Sequence, residues 1–288
     1  MKAISRRGIL LTAATLPALS AGSGLVFAQG AASVSLDQLR KAGVVKVGIA
    51  NQPPYSGMNP DGSLSGFVPT LLQAVFSKLG VPKVEGLVAT YGELVPGLQA
   101  GRWQMIGASF RLSKERCAQV LFTDPVTFDG GAFAYVPKDL SSPPKSLAEL
   151  GKSGAKSGML QGSYLLKLGE DKGIDRGSIS QFPSNPALID ALLAKRVPVA
   201  VSTFASLREL QKQRGGAFEI VYPVPDDPPV GSGPAFRRED TELHAAFQKE
   251  LRAMRASGEL ARMAGQFGFE TPADLMNLSG EEACARVS

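Results

Sequence analysis

From residue 36 the chain alternates between short apolar runs and amphipathic stretches, and this alternation constrains the fold more than any other feature. "SLDQLRKAG" reads as a helix closed by Gly43, and "VVKVGI" as an apolar strand. "PTLLQAVFSKLG" then sets Leu71, Leu72, Val75, Phe76 and Leu79 on one side of a helix that ends at Gly80. "KVEGLVA", "YGELVPGLQAGR" and "WQMIGAS" continue as strand, helix and strand. Strands joined through helices lie parallel, and a parallel sheet is covered on both faces. The expected class is α/β, with open, mostly parallel sheets and flanking helices.

Further on, "VLFTDPVTFDGGAFAYV" is extended and runs into "PKDLSSPP", where Pro, Ser and Asp crowd together. A second unit begins there. "SLAELG", "KSGML" and "QGSYLLKLGED" read as helix, strand, and a loop running into a helix; "SISQF" is a strand. "NPALIDALLAKR" is a helix with Pro186 near its first turn, followed by the strand "VPVAVS", the helix "TFASLRELQKQRG" and the strand "FEIVYPV". "PDDPPVGSG" reads as a stiff return segment, and the closing helices "EDTELHAAFQKELRAMRASG" and "ELARMAGQFG" have no sheet of their own. The economical arrangement is a discontinuous first lobe, 35–134 with 228–288, and a second lobe inserted at 135–227. Two crossings would join them and serve as a hinge. Two successive domains without interleaving are the alternative.

Residues 1–28 stand apart. Lys2, Arg6 and Arg7 precede the uncharged run "GILLTAATLPALSAGSGLVFA", and Val26 and Ala28 suit a processing site before Gln29. This is the pattern of a secretion signal, and Pro17, Gly22 and Gly24 interrupt it in a way that does not suit a membrane anchor. "SRRGIL" also resembles the twin-arginine export signal, so two export routes fit. Removing three positive charges lowers the formal +5 to +2, so the basic balance says little about nucleic acid, and no zinc-finger spacing or phosphate track is found. His244 is the only histidine, which argues against a histidine-rich metal site or a Ser-His-Asp triad; in its charged helical pattern it reads as a surface residue. No metal or cofactor is called for. Cys117 and Cys284 are the two cysteines of an exported chain, and an oxidising compartment favours a bridge tying the C-terminal tail to the first lobe.

The stretch "ANQPPYSGMNPDGSLSGF" follows the first strand with two prolines and a tyrosine. Prolines fix φ and remove backbone donors, so this is a stiff rim that can hold Tyr55 in place. Together with "YGELVPGLQAGRWQMIGAS", "SKERCAQVLFTDPV" and "FRREDTELHAAFQKELRAMRASGELARMAGQFG", in this order, it resembles the periplasmic solute-binding proteins of ABC importers, polar amino acid class, from about residue 40 to 270. Within that class "GLVATYGELVPGLQAGR", "KERCAQVLFTDP", "FPSNPALIDALLAKR" and the terminal cysteine look most similar to the ectoine and hydroxyectoine binders.

The resemblance implies a two-lobed periplasmic binding protein fold that closes over one small carboxylate-bearing solute and is presented to a membrane permease. Tyr55 would form one wall of the cleft, at the carboxyl end of a first-lobe strand. Arg116 matches the arginine that clamps the ligand carboxylate, a role suited to two parallel guanidinium donors; Arg111 and Lys114 lie nearby and compete for it. Tyr91 matches a second aromatic of the ectoine site, where ring faces suit a delocalised cation. The chain also departs from that pattern. Arg111 stands where a third aromatic is expected, with Phe110 one step earlier, and the acid expected after Asn51 is the neutral Gln52. Thr203 occupies the place of the aspartate that holds the ammonium in α-amino acid binders. Gly162 and Ser163 would offer a backbone donor and a hydroxyl, and Asn185 a side-chain hydrogen bond; both serines and asparagines before helices also serve as caps.

These readings expect a periplasmic monomer with a small-molecule solute and an ABC permease as partners, no nucleic acid, and no enzymatic activity. Two alternatives share the fold. A cyclohexadienyl-dehydratase-like enzyme needs a positioned acid, for which Glu93 and Asp129 remain. A solute sensor would dock to a receptor.

Overall fold

The computed structural model describes residues 33–270 and 277–287, so the signal read at 1–28 lies outside the described residues. The first lobe opens with α1 (Leu36–Ala42), whose cap Ser35 and Gln38 form a reciprocal capping box, and which ends at Gly43 in the left-handed conformation (φ 69°). β1 (Val44–Ile49) follows, then a hairpin of β2 (Gly57–Met58) and β3 (Leu64–Ser65). α2 (Phe67–Lys78), β4 (Lys83–Val88), α3 (Tyr91–Gln99) and β5 (Met105–Arg111) complete the alternation. The face of α2 expected to be apolar is the buried one: Leu71, Leu72, Val75 and Phe76 have no exposed surface. Burying each such side chain contributes about 1.5–3 kcal/mol relative to leaving it in water.

Next come α4 (Lys114–Gln119), β6 (Val120–Phe122) and β7 (Thr127–Asp129), and the chain crosses at Gly130 into the second lobe. There β8 (Gly131–Tyr135), α5 (Leu147–Ser153), β9 (Ser157–Leu160), α6 (Tyr164–Asp171), β10 (Ile179–Phe182), α7 (Asn185–Leu193), β11 (Val199–Thr203), α8 (Phe204–Gln213) and β12 (Glu219–Val221) form a sheet of order β10-β9-β11-β8-β12. The chain then returns as β13 (Val230–Arg237), followed by α9 (Thr241–Ala256), α10 (Glu259–Gln266) and α11 (Gly280–Arg286). The first sheet runs β4-β1-β5-β13-β6, with β7 also paired to β13.

The lobe boundary, the return segment and His244 differ from expectation. The boundary at 134 put residues 131–134 in the first lobe, but β8 pairs antiparallel with β11 and β12, and Phe133 is buried in the second core. The sheets are mixed, because β13 runs antiparallel to β5, β6 and β7, and β8 antiparallel to its neighbours. "VGSG", read as a return segment, is the start of β13; a register shift between Gly233 and Ala235 lets Pro234 sit inside the strand. His244 is half-buried, its Nε2 2.9 Å from the Phe122 carbonyl, because its helix face turns toward Phe236.

The C-terminal segment is tied to the first lobe twice. Cys117 and Cys284 form a disulfide with their Cα atoms 5.8 Å apart. Beside it, Asp124 accepts from Arg252 Nε at 2.9 Å and from the Gly280 N–H at 3.1 Å.

Candidate functional site

The carboxyl ends of β1, β5 and β7 in one lobe face those of β9 and β11 in the other, where open α/β sheets place their ligands. Between them lies a cavity with about 470 Å³ of empty space, mouth included.

Arg116 supplies the cavity's positive side. Ser113 caps α4 by accepting the Arg116 N–H at 3.3 Å, which turns the guanidinium back toward the strand ends. Arg116 Nη1 donates to the Arg111 carbonyl (3.0 Å) and Nη2 to that of Gly162 (3.3 Å). The guanidinium lies 4.0 Å from the Phe110 ring centre and 6.0 Å from that of Tyr91. Burial depresses its pKa to about 10 and the Tyr91 phenol pulls the other way, so it stays charged at neutral pH. Two of five N–H groups are used on backbone, and the other three have no hydrogen-bond partner among the described residues.

Arg111 does something different. It donates to Asp227 Oδ1 (2.7 Å) and to the carbonyls of Asp129 (2.9 Å) and Pro228 (3.1 Å), and stacks 3.9 Å over the Tyr164 ring. Asp227 also accepts from Tyr164 Oη (2.8 Å) and the Gly131 N–H (2.6 Å). Arg111 is thus a brace at the crossing between lobes, with its charge balanced by a side chain only 1% exposed.

Asp129 ends β7 on the cavity wall. Its carboxylate accepts from the Tyr55 hydroxyl, from the Ala205 N–H (3.0 Å) and from the Gly130 N–H (2.9 Å). Burial raises its pKa against the opposing pull of these donors. Burial likewise holds the Tyr55 and Tyr91 phenols neutral, well above their ordinary range.

Several contacts cross the cleft. Gln52 Nε2 donates to Thr203 Oγ1 at 3.1 Å, while the Tyr91 hydroxyl donates to Gln52 Oε1. Gly162 (φ 68°) lies against Gly92 at the start of α3, so close that a Cβ would fall 2.6 Å from Gly92 Cα. A side chain there would hold the lobes apart.

Of the residues expected from sequence, Gln52, Tyr55, Tyr91, Arg111, Arg116, Ser163 and Thr203 line the cavity. Ser163 Oγ is buried without a hydrogen-bond partner in the chain. Phe110, Gly162 and Asn185 do not line it. Phe110 backs Arg116 and stacks on Tyr91 at 6.3 Å; Gly162 reaches Arg116 through its carbonyl. Asn185 is fully buried behind the wall, accepting from Ser202 Oγ at 2.7 Å. Sequence reasoning missed Tyr164 and Asp227 altogether, and weighed Asp129 only as a possible acid. No local signal marked either: Tyr164 opens α6 after its cap Ser163, and Asp227 lies in a proline-rich return segment. Among the described residues, no group of three or more His, Cys, Asp or Glu could hold a metal ion, and no helix is long and apolar enough to cross a membrane.

Comparison with known proteins gives consistent matches. The model of bacterial extracellular solute-binding proteins, family 3, matches residues 45–270. A Sinorhizobium fredii protein, described as a probable amino-acid ABC transporter periplasmic-binding protein, is 25% identical over 273 residues, spanning 90% of this chain and 88% of that one. The L-arginine-binding protein of Pseudomonas aeruginosa is 26% identical over 230 residues, 77% of this chain and 87% of its own. A crystal structure of EhuB in complex with hydroxyectoine aligns with a TM-score of 0.82 at 31% identity, covering 87% of this chain and 97% of that one.

Proposed function

This chain belongs to family 3 of the bacterial extracellular solute-binding proteins, and on that premise we propose that its cleft closes over an ectoine-like zwitterion. The protein is the extracytoplasmic, periplasmic solute-binding component of an ABC importer, with a small polar solute and a membrane permease as partners; its family is one of binding proteins and not of enzymes. The solute carboxylate pairs with Arg116, a lining residue with donors to spare, and Ser163 Oγ gives it a further hydrogen bond. The rings of Tyr55 and Tyr91 meet a cation that is delocalised or alkylated.

The observation that carries this reading is the uncharged pair of Gln52 and Thr203 at the strand ends. A primary ammonium needs a charged or multiply accepting partner there, and its desolvation is costly without one. Hydroxyectoine, bound by the EhuB relative, has a charge-delocalised ring and a carboxylate, which suits the polar walls here. The same reading takes the two sheets as lobes hinged at Gly130 and at 222–229, the protein as a monomer without a nucleic-acid partner, and "SRRGIL" as a twin-arginine export signal.

A thermal-shift panel tests it: ectoine, hydroxyectoine, glycine betaine, proline, glutamine, arginine and dicarboxylates. Ligand at one hundred times its dissociation constant stabilises by about 2.7 kcal/mol. Ectoine or hydroxyectoine should give the largest shift. A shift with glutamine or a dicarboxylate and none with ectoine would reject the reading.

A further inference from the structure

Three charged side chains line the cavity, a fourth, Asp227, backs one of them, and their charges do not all cancel locally. Arg111 and Asp227 form a 2.7 Å ion pair with side chains 11% and 1% exposed, so they neutralise each other. Arg116 and Asp129 remain. Both line the cavity, and among the described residues neither has an ion-pair partner. No pair joins them to each other, and they contact different groups: Arg116 the Phe110 ring and Gly162, Asp129 the Tyr55 hydroxyl and Ala205. A carboxylate has about four lone-pair sites. Asp129 fills three with neutral donors, which leaves one site, and its charge is met only through space by Arg111, with no ion pair.

We propose that Asp129 is the anionic seat for the cationic half of the solute, paired with the carboxylate seat at Arg116. The inference rests on the zwitterion reading above and deepens it. It supplies the counter-charge that Gln52 and Thr203 lack, from the hinge strand instead of the second-lobe strand end. Tyr55 positions it: its hydroxyl holds Asp129 while its ring stands on the same wall. The cavity therefore accepts a molecule carrying both charges and disfavours a plain carboxylate, which would satisfy Arg116 and leave Asp129 buried and unpaired. Asp129 also ties the start of α8 to the hinge through Ala205. A tie alone would weaken all ligands equally.

That difference gives the test. Calorimetry with ectoine, and with cyclohexanecarboxylate as a cation-free carboxylate of the same ring size, is run on the wild type and on Asp129→Asn. Ectoine affinity should fall by about 30-fold or more in the variant while that of cyclohexanecarboxylate holds or rises. In the wild type the cation-free acid should bind about 30-fold or more weakly than ectoine. If the thermal melt shows Asp129→Asn unfolded, Asp129→Ser is measured in its place, and the wild-type comparison stands without either. Another zwitterion of the panel replaces ectoine if it binds more tightly. Unchanged zwitterion affinity in the variant, equal losses for both probes, or a wild type that takes both equally would overturn the role of Asp129 and leave the zwitterion reading intact. A wild type that binds no zwitterion would overturn that reading and this inference with it.

Discussion

Gln52 Nε2 and Thr203 Oγ1 lie 3.1 Å apart and join the two lobes with a hydrogen bond that carries no charge on either side. Gln52 is itself held by the Tyr91 hydroxyl, so one aromatic wall, one strand end of the first lobe and one of the second are linked in series. The contact needs the lobes together. It makes cleft closure compatible with the binding of a solute whose cation is soft, because neither residue demands an ammonium.

Arg116→Ala should cost about 2–5 kcal/mol of solute binding, roughly 30- to several-thousand-fold, by leaving a carboxylate unpaired in the closed cleft. The empty protein should lose only about 1 kcal/mol, because the arginine's own-lobe hydrogen bond goes to a single carbonyl, that of Arg111. Calorimetry and denaturant melts on the same variant separate the two numbers. Unchanged affinity would move the carboxylate seat elsewhere.

Gly162→Ala should act on closure. Its positive φ costs a side chain about 1–2 kcal/mol, and the added Cβ meets Gly92 across the cleft. Solute affinity should fall about tenfold or more while the empty fold loses about 1 kcal/mol. Small-angle scattering with saturating ectoine should report a less compact variant; full compaction at wild-type affinity would refute the contact's role.

Burial holds the carboxyls of Asp129 and Asp227 above their ordinary range. In the window above the unfolded value of about 3.9, the native state keeps protons that the unfolded chain has lost, so the stability contribution of these groups falls as pH rises through that window. A cation seated on Asp129 favours its ionised form, so solute binding there should release protons and tighten with pH. Titrations of ectoine in buffers of different ionisation heat would measure the release, which should vanish in Asp129→Asn. Proton uptake would carry the opposite sign and contradict it.

The disulfide anchors α4, the helix that carries Arg116, to the C-terminal segment. Replacing both Cys117 and Cys284 by Ser should lower stability by about 2–4 kcal/mol. Solute affinity should fall less than in Arg116→Ala, since Ser113 and Phe110 still set the arginine. Equilibrium unfolding and calorimetry on the double variant check both parts.

What the sequence made legible was local. The apolar face of α2 and the strand-end position of Tyr55 follow from periodicity and from prolines, and Arg116 from its motif. β13 escaped because Gly231, Gly233 and Pro234 are poor strand formers; it holds its place through partners on three other strands. Arg111 looked like a free cation because its partner, Asp227, is 116 residues away in a proline-rich segment. Asp129 and Tyr164 carry no local pattern, and their place on the wall depends on how the two lobes meet.

The most direct test of the account is calorimetric titration of the mature protein with ectoine or hydroxyectoine against L-glutamine and L-arginine at one neutral pH. A zwitterion with a delocalised cation should bind about a hundredfold or more tightly than either amino acid, a gap of about 2.7 kcal/mol. Saturation by glutamine or arginine with no heat from ectoine or hydroxyectoine would contradict it, and would make Asp129 the seat of a primary ammonium that Gln52 and Thr203 do not hold.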